Sequence, residues 1–142
     1  MKAIMATILM LISTVGTAAP IQYFPADPTA PFSTATRVGD IVYLSGQIGV
    51  GSDGKLPEGF EAQAKQTMEN VGTALKAAGL GWGDVFKCTV MIDDMANWPK
   101  FNAIYVPYFP KGKLPARSAF GADGLALGAA LELECMAYAG KK

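Results

Sequence analysis

The sequence contains no histidine and few charged side chains. Without histidine, the chain has no Ser-His-Asp or Cys-His triad, no histidine-ligated zinc and no imidazole that titrates near neutral pH. Charged residues make up 17% of the 142 residues, whereas an average soluble domain has about 25%. The chemistry of this protein must therefore come from a small set of polar groups.

Basic residues are also scarce. The 12 lysines and arginines only balance the 12 acidic residues, and the two arginines are Arg37 and Arg117. Proteins that bind nucleic acids carry excess positive charge, so we expect no nucleic-acid partner. Two cysteines, Cys88 and Cys135, are too few for a disulfide-rich scaffold or a four-ligand metal site, and we expect no metal. The sequence leaves open whether they are free buried thiols or form a disulfide.

The first 19 residues have the pattern of a secretory signal peptide. Lys2 is followed by an apolar run at residues 3–12 and then by small and polar residues that end in Ala18-Ala19. The run is shorter than the roughly 20 residues that cross a bilayer, so no stable membrane span is expected. We predict cleavage after Ala18, a single domain at 19–142, and export to the periplasm or the medium. The alternatives are an uncleaved extension and a misassigned start codon.

Low charge is a property of the domain and not of the leader. Removing residues 1–18 takes away one charged residue, Lys2, and leaves 11 basic against 12 acidic residues. Interfaces between identical subunits are depleted in charged residues. The composition therefore favours a homo-oligomer in which copies of the chain cover much of its surface.

The spacing of apolar residues predicts the element order ββ-α-β-α-ββ. Gly39-Asp40 predicts a hairpin turn, Gly79 ends a long helix, and a short helix begins at Asn97 and ends at Pro107. The predicted elements are strands at 34–37 and 41–44, a helix at 60–78, a strand at 85–92, a helix from 97, and strands at 116–121 and 129–139, after an extended, irregular segment at 20–31. Helices grouped on one face of a mixed sheet make an α+β domain.

Arg117 is the first candidate functional residue. It lies in the strand-like segment LPARSAF among apolar neighbours, where a half-buried guanidinium needs a partner. One hypothesis is that its planar fork binds a substrate carboxylate through two parallel hydrogen bonds. The alternative is a structural ion pair with Glu132 or Glu134.

Other polar residues carry weaker signals. Glu132 and Glu134 alternate with leucines in the last strand, so they are either solvated carboxylates on an open sheet face or include a general acid–base group in a cleft. Ser45-Gly46 follows the second strand, where glycine allows either the close approach of a ligand or a bulge. Asn102, on the second helix, is either a surface residue or one that orients a neighbour.

Five stretches of the chain follow a known order and spacing. They are PFSTATRVGDIVYLSGQIG at 31–49, FEAQAKQTMENVGTALKAAGLGWGDVFKCTVMIDDM at 60–95, FNAIYVPYF at 101–109, PARSAF at 115–120 and ALELECMAYA at 130–139. Together they resemble the RidA/YjgF family, small proteins called imine or enamine deaminases and, under an older label, L-PSP endoribonucleases. The resemblance covers essentially everything after residue 30.

The resemblance implies a mixed sheet with two helices on one face, related to the chorismate mutase arrangement, in a homotrimer with ligand clefts between subunits. It implies hydrolysis of short 2-imino or 2-enamino acids to 2-oxo acids and ammonia, as in 2-iminobutanoate/2-iminopropanoate deaminases, without a cofactor or metal. Arg117 then matches the arginine that binds the substrate carboxylate, and Glu132 the residue that positions and activates water. Ser45 and Gly46 match cleft-lining residues, and Asn102 matches an asparagine beside the cleft.

Two positions depart from the family pattern. The best-studied deaminases have a tyrosine where this chain has Phe32 and a cysteine where it has Ala119. Phe32 lacks the hydroxyl, and the loss of one such donor costs about 1–3 kcal/mol of recognition. Ala119 lacks the thiol and enlarges the cleft. The alternative to catalysis is a non-enzymatic module that binds a small carboxylate metabolite in the same clefts.

Overall fold

The computed structural model describes residues 19–25 and 29–140, which carry a β-sheet and two α-helices. The predicted signal peptide, residues 1–18, lies outside the described residues. Within the described ranges, no helix is long and apolar enough to cross a membrane.

Among the described residues, seven strands form one sheet. They are β1 (Gln22–Pro25), β2 (Ser33–Val38), β3 (Ile41–Leu44), β4 (Gln47–Ile48), β5 (Val85–Ile92), β6 (Ala116–Gly121) and β7 (Leu131–Tyr138). Their order across the sheet is β1-β2-β3-β7-β5-β6, and β4 also pairs with β7. The β5–β6 pair is parallel and the other described pairs are antiparallel. The predicted mixed sheet of an α+β domain is confirmed.

Two helices, α1 (Phe60–Ala77) and α2 (Trp98–Tyr105), pack on one face of this sheet. The buried side of α1 includes Ala64, Met68 and Val71 and contacts β7 and β4. Gly79 has a φ of 73° and ends this helix as predicted, because glycine adopts the left-handed conformation without a steric penalty.

The start of α2 differs in detail from its prediction. Asn97 occupies the N-cap position, but its side chain makes no capping hydrogen bond. The capping acceptor lies earlier, because the backbone N–H of Ala96 donates to Oδ1 of Asp94 at 2.9 Å and begins a 3-10 turn that runs into α2. Pro107 lies in a second 3-10 turn, Val106–Tyr108, and α2 ends before it as predicted.

The strand β1 lies in a segment that was predicted to be irregular because of its prolines. Gln22–Pro25 pairs antiparallel with β2 at the edge of the sheet, and the register shifts between Phe24 and Pro25. An edge strand tolerates proline, since a missing N–H needs no partner there. The predicted extended backbone is therefore confirmed for these residues, and the prediction that they are irregular is wrong. The last strand begins at Leu131, slightly later than predicted.

The core lies between the sheet and the helices, and the strand β7 shows how the two sides differ. Leu131, Leu133 and Cys135 are buried towards the helices, while Glu132 and Glu134 alternate with them and point the other way. The predicted alternation is confirmed. We call the two sides of the sheet the helix face and the outer face.

The two cysteines form a disulfide across neighbouring strands. Cys88 in β5 lies directly opposite Cys135 in β7, and their Cα atoms are 4.1 Å apart. Both residues are buried on the helix face. The bond joins positions that are 47 residues apart in the chain. Of the two alternatives that the sequence leaves open, the structure therefore selects the disulfide.

Replacing both cysteines, Cys88→Ala/Cys135→Ala, should lower the free energy of unfolding by about 2–5 kcal/mol, because the unfolded chain is no longer cross-linked. Chemical denaturation followed by circular dichroism measures the change. Reductant should lower the stability of the wild-type protein towards that of the variant and leave the variant unaffected. Equal midpoints for the variant and the oxidised wild type would contradict a stabilising disulfide.

Candidate functional site

Arg117 lies on the helix face of β6. The parallel pairing of β5 with β6 places it beside Cys88, whose side chain is buried under the helices. Its guanidinium carbon is 4.3 Å from the centre of the Trp98 ring and 4.5 Å from the centre of the Tyr105 ring. Both rings belong to α2. Cation–π attraction to these ring faces holds the guanidinium and fixes the plane of its donors.

The two terminal nitrogens of the guanidinium differ in their hydrogen bonding. Nη2 of Arg117 donates to Oδ1 of Asn102 at 2.6 Å. Nη1 is buried and has no hydrogen-bond partner among the described residues. Leaving a buried charged donor unpaired is costly. The arrangement is therefore suited to an anionic oxygen that a ligand supplies.

The alternative of an ion pair between Arg117 and Glu132 or Glu134 is wrong. Both glutamates point to the outer face of the sheet, whereas the guanidinium lies on the helix face. Burial lowers the pKa of Arg117, but a guanidinium remains protonated at neutral pH. The site thus contains a permanent cation that is not neutralised by either candidate carboxylate.

A cavity of about 240 Å³ opens beside this cation. The described residues that line it are Trp98, Tyr105, Val106, Leu114, Pro115, Arg117 and Ala119. Ala119 follows Arg117 by two residues along β6 and therefore points to the same face. We call this cavity and its lining the arginine pocket. The structure thus brings together Arg117, Asn102 and Ala119, three of the predicted site residues.

A second group of predicted site residues, which we call the glutamate group, comprises Ser45, Gly46 and Glu132. Oγ of Ser45 donates to the backbone carbonyl of Ser33 at 2.6 Å. Ser33 directly follows Phe32, whose side chain is exposed. A Cβ atom on Gly46 would collide with the carboxylate of Glu132. Glycine at this position therefore allows the carboxylate to lie against the backbone. The sequence left open whether Gly46 allows the close approach of a ligand or forms a bulge. In the structure, the group that lies close to Gly46 is the side chain of Glu132.

The arginine pocket and the glutamate group lie on opposite faces of the sheet. Arg117 pairs with Cys88 of β5, whereas Glu132 pairs with Met91 of the same strand. Cys88 and Met91 are three residues apart, and side chains at odd spacings along a strand point to opposite faces. One chain therefore does not bring Arg117 and Glu132 into a single cleft. A cleft that contains both needs two chains.

Sequence reasoning missed Trp98 and Tyr105 as site residues. Their pattern predicts only that they belong to the apolar stripe of the second helix. Trp98, Asn102 and Tyr105 are spaced by four and then three residues, which places their side chains on one face of a helix. This spacing of two aromatic residues around an asparagine is the signal that could have found them.

The family model described as Endoribonuclease L-PSP matches residues 24–139. The chain belongs to this family. Within the family, mouse 2-iminobutanoate/2-iminopropanoate deaminase is 42% identical over 112 residues, which cover 78% of this chain and 82% of the mouse protein. The Arabidopsis thaliana protein called Reactive Intermediate Deaminase A, chloroplastic, is 39% identical over 109 residues, covering 75% of this chain and 58% of that protein. The RidA/YjgF resemblance is confirmed.

Solved structures of the L-PSP family have the same fold. RidA from an Antarctic Psychrobacter superimposes with a TM-score of 0.74 at 35% identity, covering 82% of this chain and 94% of that chain. TdcF from E. coli with bound serine superimposes with a TM-score of 0.74 at 32% identity, covering 78% of this chain and 90% of that chain. The predicted fold class is therefore confirmed by comparison as well as by the sheet order.

The Tyr105 hydroxyl is buried without a hydrogen-bond partner among the described residues, and burial raises the pKa of Tyr105 to about 12. An unfolded tyrosine ionises near pH 10, so the unfolded chain releases a proton that the folded protein keeps. Stability should therefore fall between about pH 10 and pH 12, and Tyr105→Phe should remove this part of the fall. Denaturation of both proteins at neutral and alkaline pH measures the difference. An identical loss of stability in the two proteins would contradict the assignment.

Proposed function

We propose that this protein hydrolyses small reactive 2-imino or 2-enamino acids to 2-oxo acids and ammonia. The observation that carries the proposal is the buried, unpartnered Nη1 of Arg117 beside an open cavity. A substrate carboxylate supplies the missing acceptor. The mouse and Arabidopsis relatives are named as deaminases of this class. The E. coli relative TdcF holds serine, a small molecule with the same carboxylate group.

Glu132 is the proton acceptor in the proposed reaction. A water molecule adds to C2 of the imine while the carboxylate takes up one of its protons. The proton passes to the nitrogen and gives a carbinolamine. Glu132 then transfers the proton of the new hydroxyl group to the nitrogen, the C2–N bond breaks, and ammonia leaves with the bonding electron pair as C2 becomes a carbonyl carbon. The reaction consumes one water and changes no oxidation state overall. It therefore needs no redox cofactor.

The catalytic site is proposed to form between copies of the chain in a homotrimer. Glu132 and Arg117 of one chain lie on opposite faces, so the glutamate group of one copy must meet the arginine pocket of the next. Large apolar side chains support this arrangement, since Tyr43, Phe120 and Tyr138 on the outer face are 42%, 51% and 47% exposed. Interfaces between identical subunits favour such side chains and few charges. Repetition of one contact between different surfaces closes into a trimeric ring when each copy is rotated by one third of a turn from the last.

The same geometry would also serve a module that binds a carboxylate without turnover. Phe32 and Ala119 carry no group that can donate or accept a proton. The proposed reaction takes its proton acceptor from Glu132 instead, and Gly46 leaves room for that carboxylate. Glu132 and Gly46 therefore favour hydrolysis over binding alone.

RNA cleavage, after which the Endoribonuclease L-PSP family is named, is not proposed for this chain. Its basic and acidic residues are equal in number, at 12 each, and it has two arginines. RNA binding draws on excess positive charge along the phosphate backbone. The one cation of the arginine pocket matches a single carboxylate.

Arg117→Lys should lower kcat/KM for imine hydrolysis about 10- to 100-fold, because lysine keeps the charge but loses the planar pair of donors. Imines generated in situ by a flavin amino acid oxidase, and trapped in competition with the enzyme, report the rate. Arg37→Lys is the matched control, since the Arg37 side chain donates to the carbonyls of Gly39 and Ala139. Equal rates in the two variants would contradict the role of Arg117, and no acceleration by the wild type would disprove imine hydrolysis.

A mixture of two inactive variants should recover activity if the site is shared. Arg117→Ala removes the cation from one half of each cleft, and Glu132→Gln removes the proton acceptor from the other half. Co-expression of the two variants with different tags produces mixed assemblies in which some clefts contain both wild-type residues. Failure of purified mixed assemblies to exceed the activity of either variant, or a monomer in light scattering, would contradict the shared site.

A further inference from the structure

The arginine pocket is apolar beyond its cation. Of the described residues that line it, Arg117 alone carries a charge, and the others present aromatic or aliphatic surface. The Tyr105 hydroxyl is itself buried, so the ring rather than the polar tip forms the wall. The cavity volume of about 240 Å³ leaves space after a carboxylate has met the guanidinium.

Ala119 keeps this space open. It lies on the same face of β6 as Arg117, and its neighbour Val90 in β5 is fully buried, so the floor of the cavity is fixed by packing. A side chain larger than a methyl group would project from the strand into the cavity. At the mouth, Val106 and Leu114 are 46% and 57% exposed. A ligand that covers these apolar surfaces gains hydrophobic stabilisation.

We propose that the site prefers 2-imino acids with a branched aliphatic side chain, such as the imine derived from leucine, over those with a methyl group or a second carboxylate. The inference rests on the proposed function, because Arg117 must hold the substrate carboxylate for the side chain to reach the cavity. A second carboxylate finds no second cation in the described lining, and burying it unpaired is costly. An aliphatic side chain instead exchanges water for apolar contacts.

The preference can be measured as kcat/KM for imines derived from leucine, alanine and aspartate, each generated in situ by an amino acid oxidase. The leucine-derived imine should exceed the alanine-derived imine by about tenfold or more, since one methylene in an apolar pocket is worth about 10- to 200-fold. Ala119→Leu fills the cavity and should reduce this ratio about tenfold. The matched control, Ala103→Leu, adds the same side chain at an exposed position of α2 and should keep the ratio.

Calorimetry with the 2-oxo acid products, 4-methyl-2-oxopentanoate and pyruvate, separates this inference from the proposed function. If no imine is hydrolysed but the branched product binds more tightly and Ala119→Leu abolishes the difference, hydrolysis is wrong and the branched-chain preference stands. If imines are hydrolysed with an equal or reversed preference, the preference is wrong and hydrolysis stands. If neither hydrolysis nor selective binding is observed, both are wrong.

Discussion

The positive charge of Arg117 is the constraint on which the rest of the site depends. A guanidinium keeps its proton at neutral pH, so a half-buried one must be compensated by its surroundings. Here the compensation comes from one short helix, which contributes two ring faces and the oxygen of Asn102. It is incomplete, because Nη1 has no partner in the described structure. The fold therefore holds the cation in place and leaves Nη1 available to the proposed carboxylate ligand.

The alternation of side chains along β-strands divides the polar chemistry into two halves. The arginine pocket faces the helices, and the glutamate group lies on the outer face with large exposed apolar side chains. Neither half is complete in one chain. The low charge of the sequence, the exposed outer face and the separation of Arg117 from Glu132 all support the proposed homotrimer, in which this surface meets another copy of the chain.

Much of the fold could be predicted because its helices and central strands have clear apolar periods. Arg117 could be singled out because an arginine among apolar neighbours needs a partner, whereas Glu132 and Gly46 were singled out by the family resemblance. Contacts between distant elements could not be predicted. Whether the partner of Arg117 is Asn102 or a glutamate depends on the face of the sheet on which each side chain lies. Whether the two cysteines form a disulfide depends on the register between β5 and β7. The strand β1 was missed because its pairing at the sheet edge outweighs the local effect of its prolines.

The bond between Cys88 and Cys135 links the folded protein to the redox state of its surroundings. Disulfides persist in oxidising compartments and are reduced in the cytosol. A copy retained in a reducing compartment would fold without this cross-link, and a larger fraction of its molecules would be unfolded at any moment. Proteases act on that fraction. The amount of protein in each compartment would then depend on the local thiol chemistry as well as on the rate of synthesis.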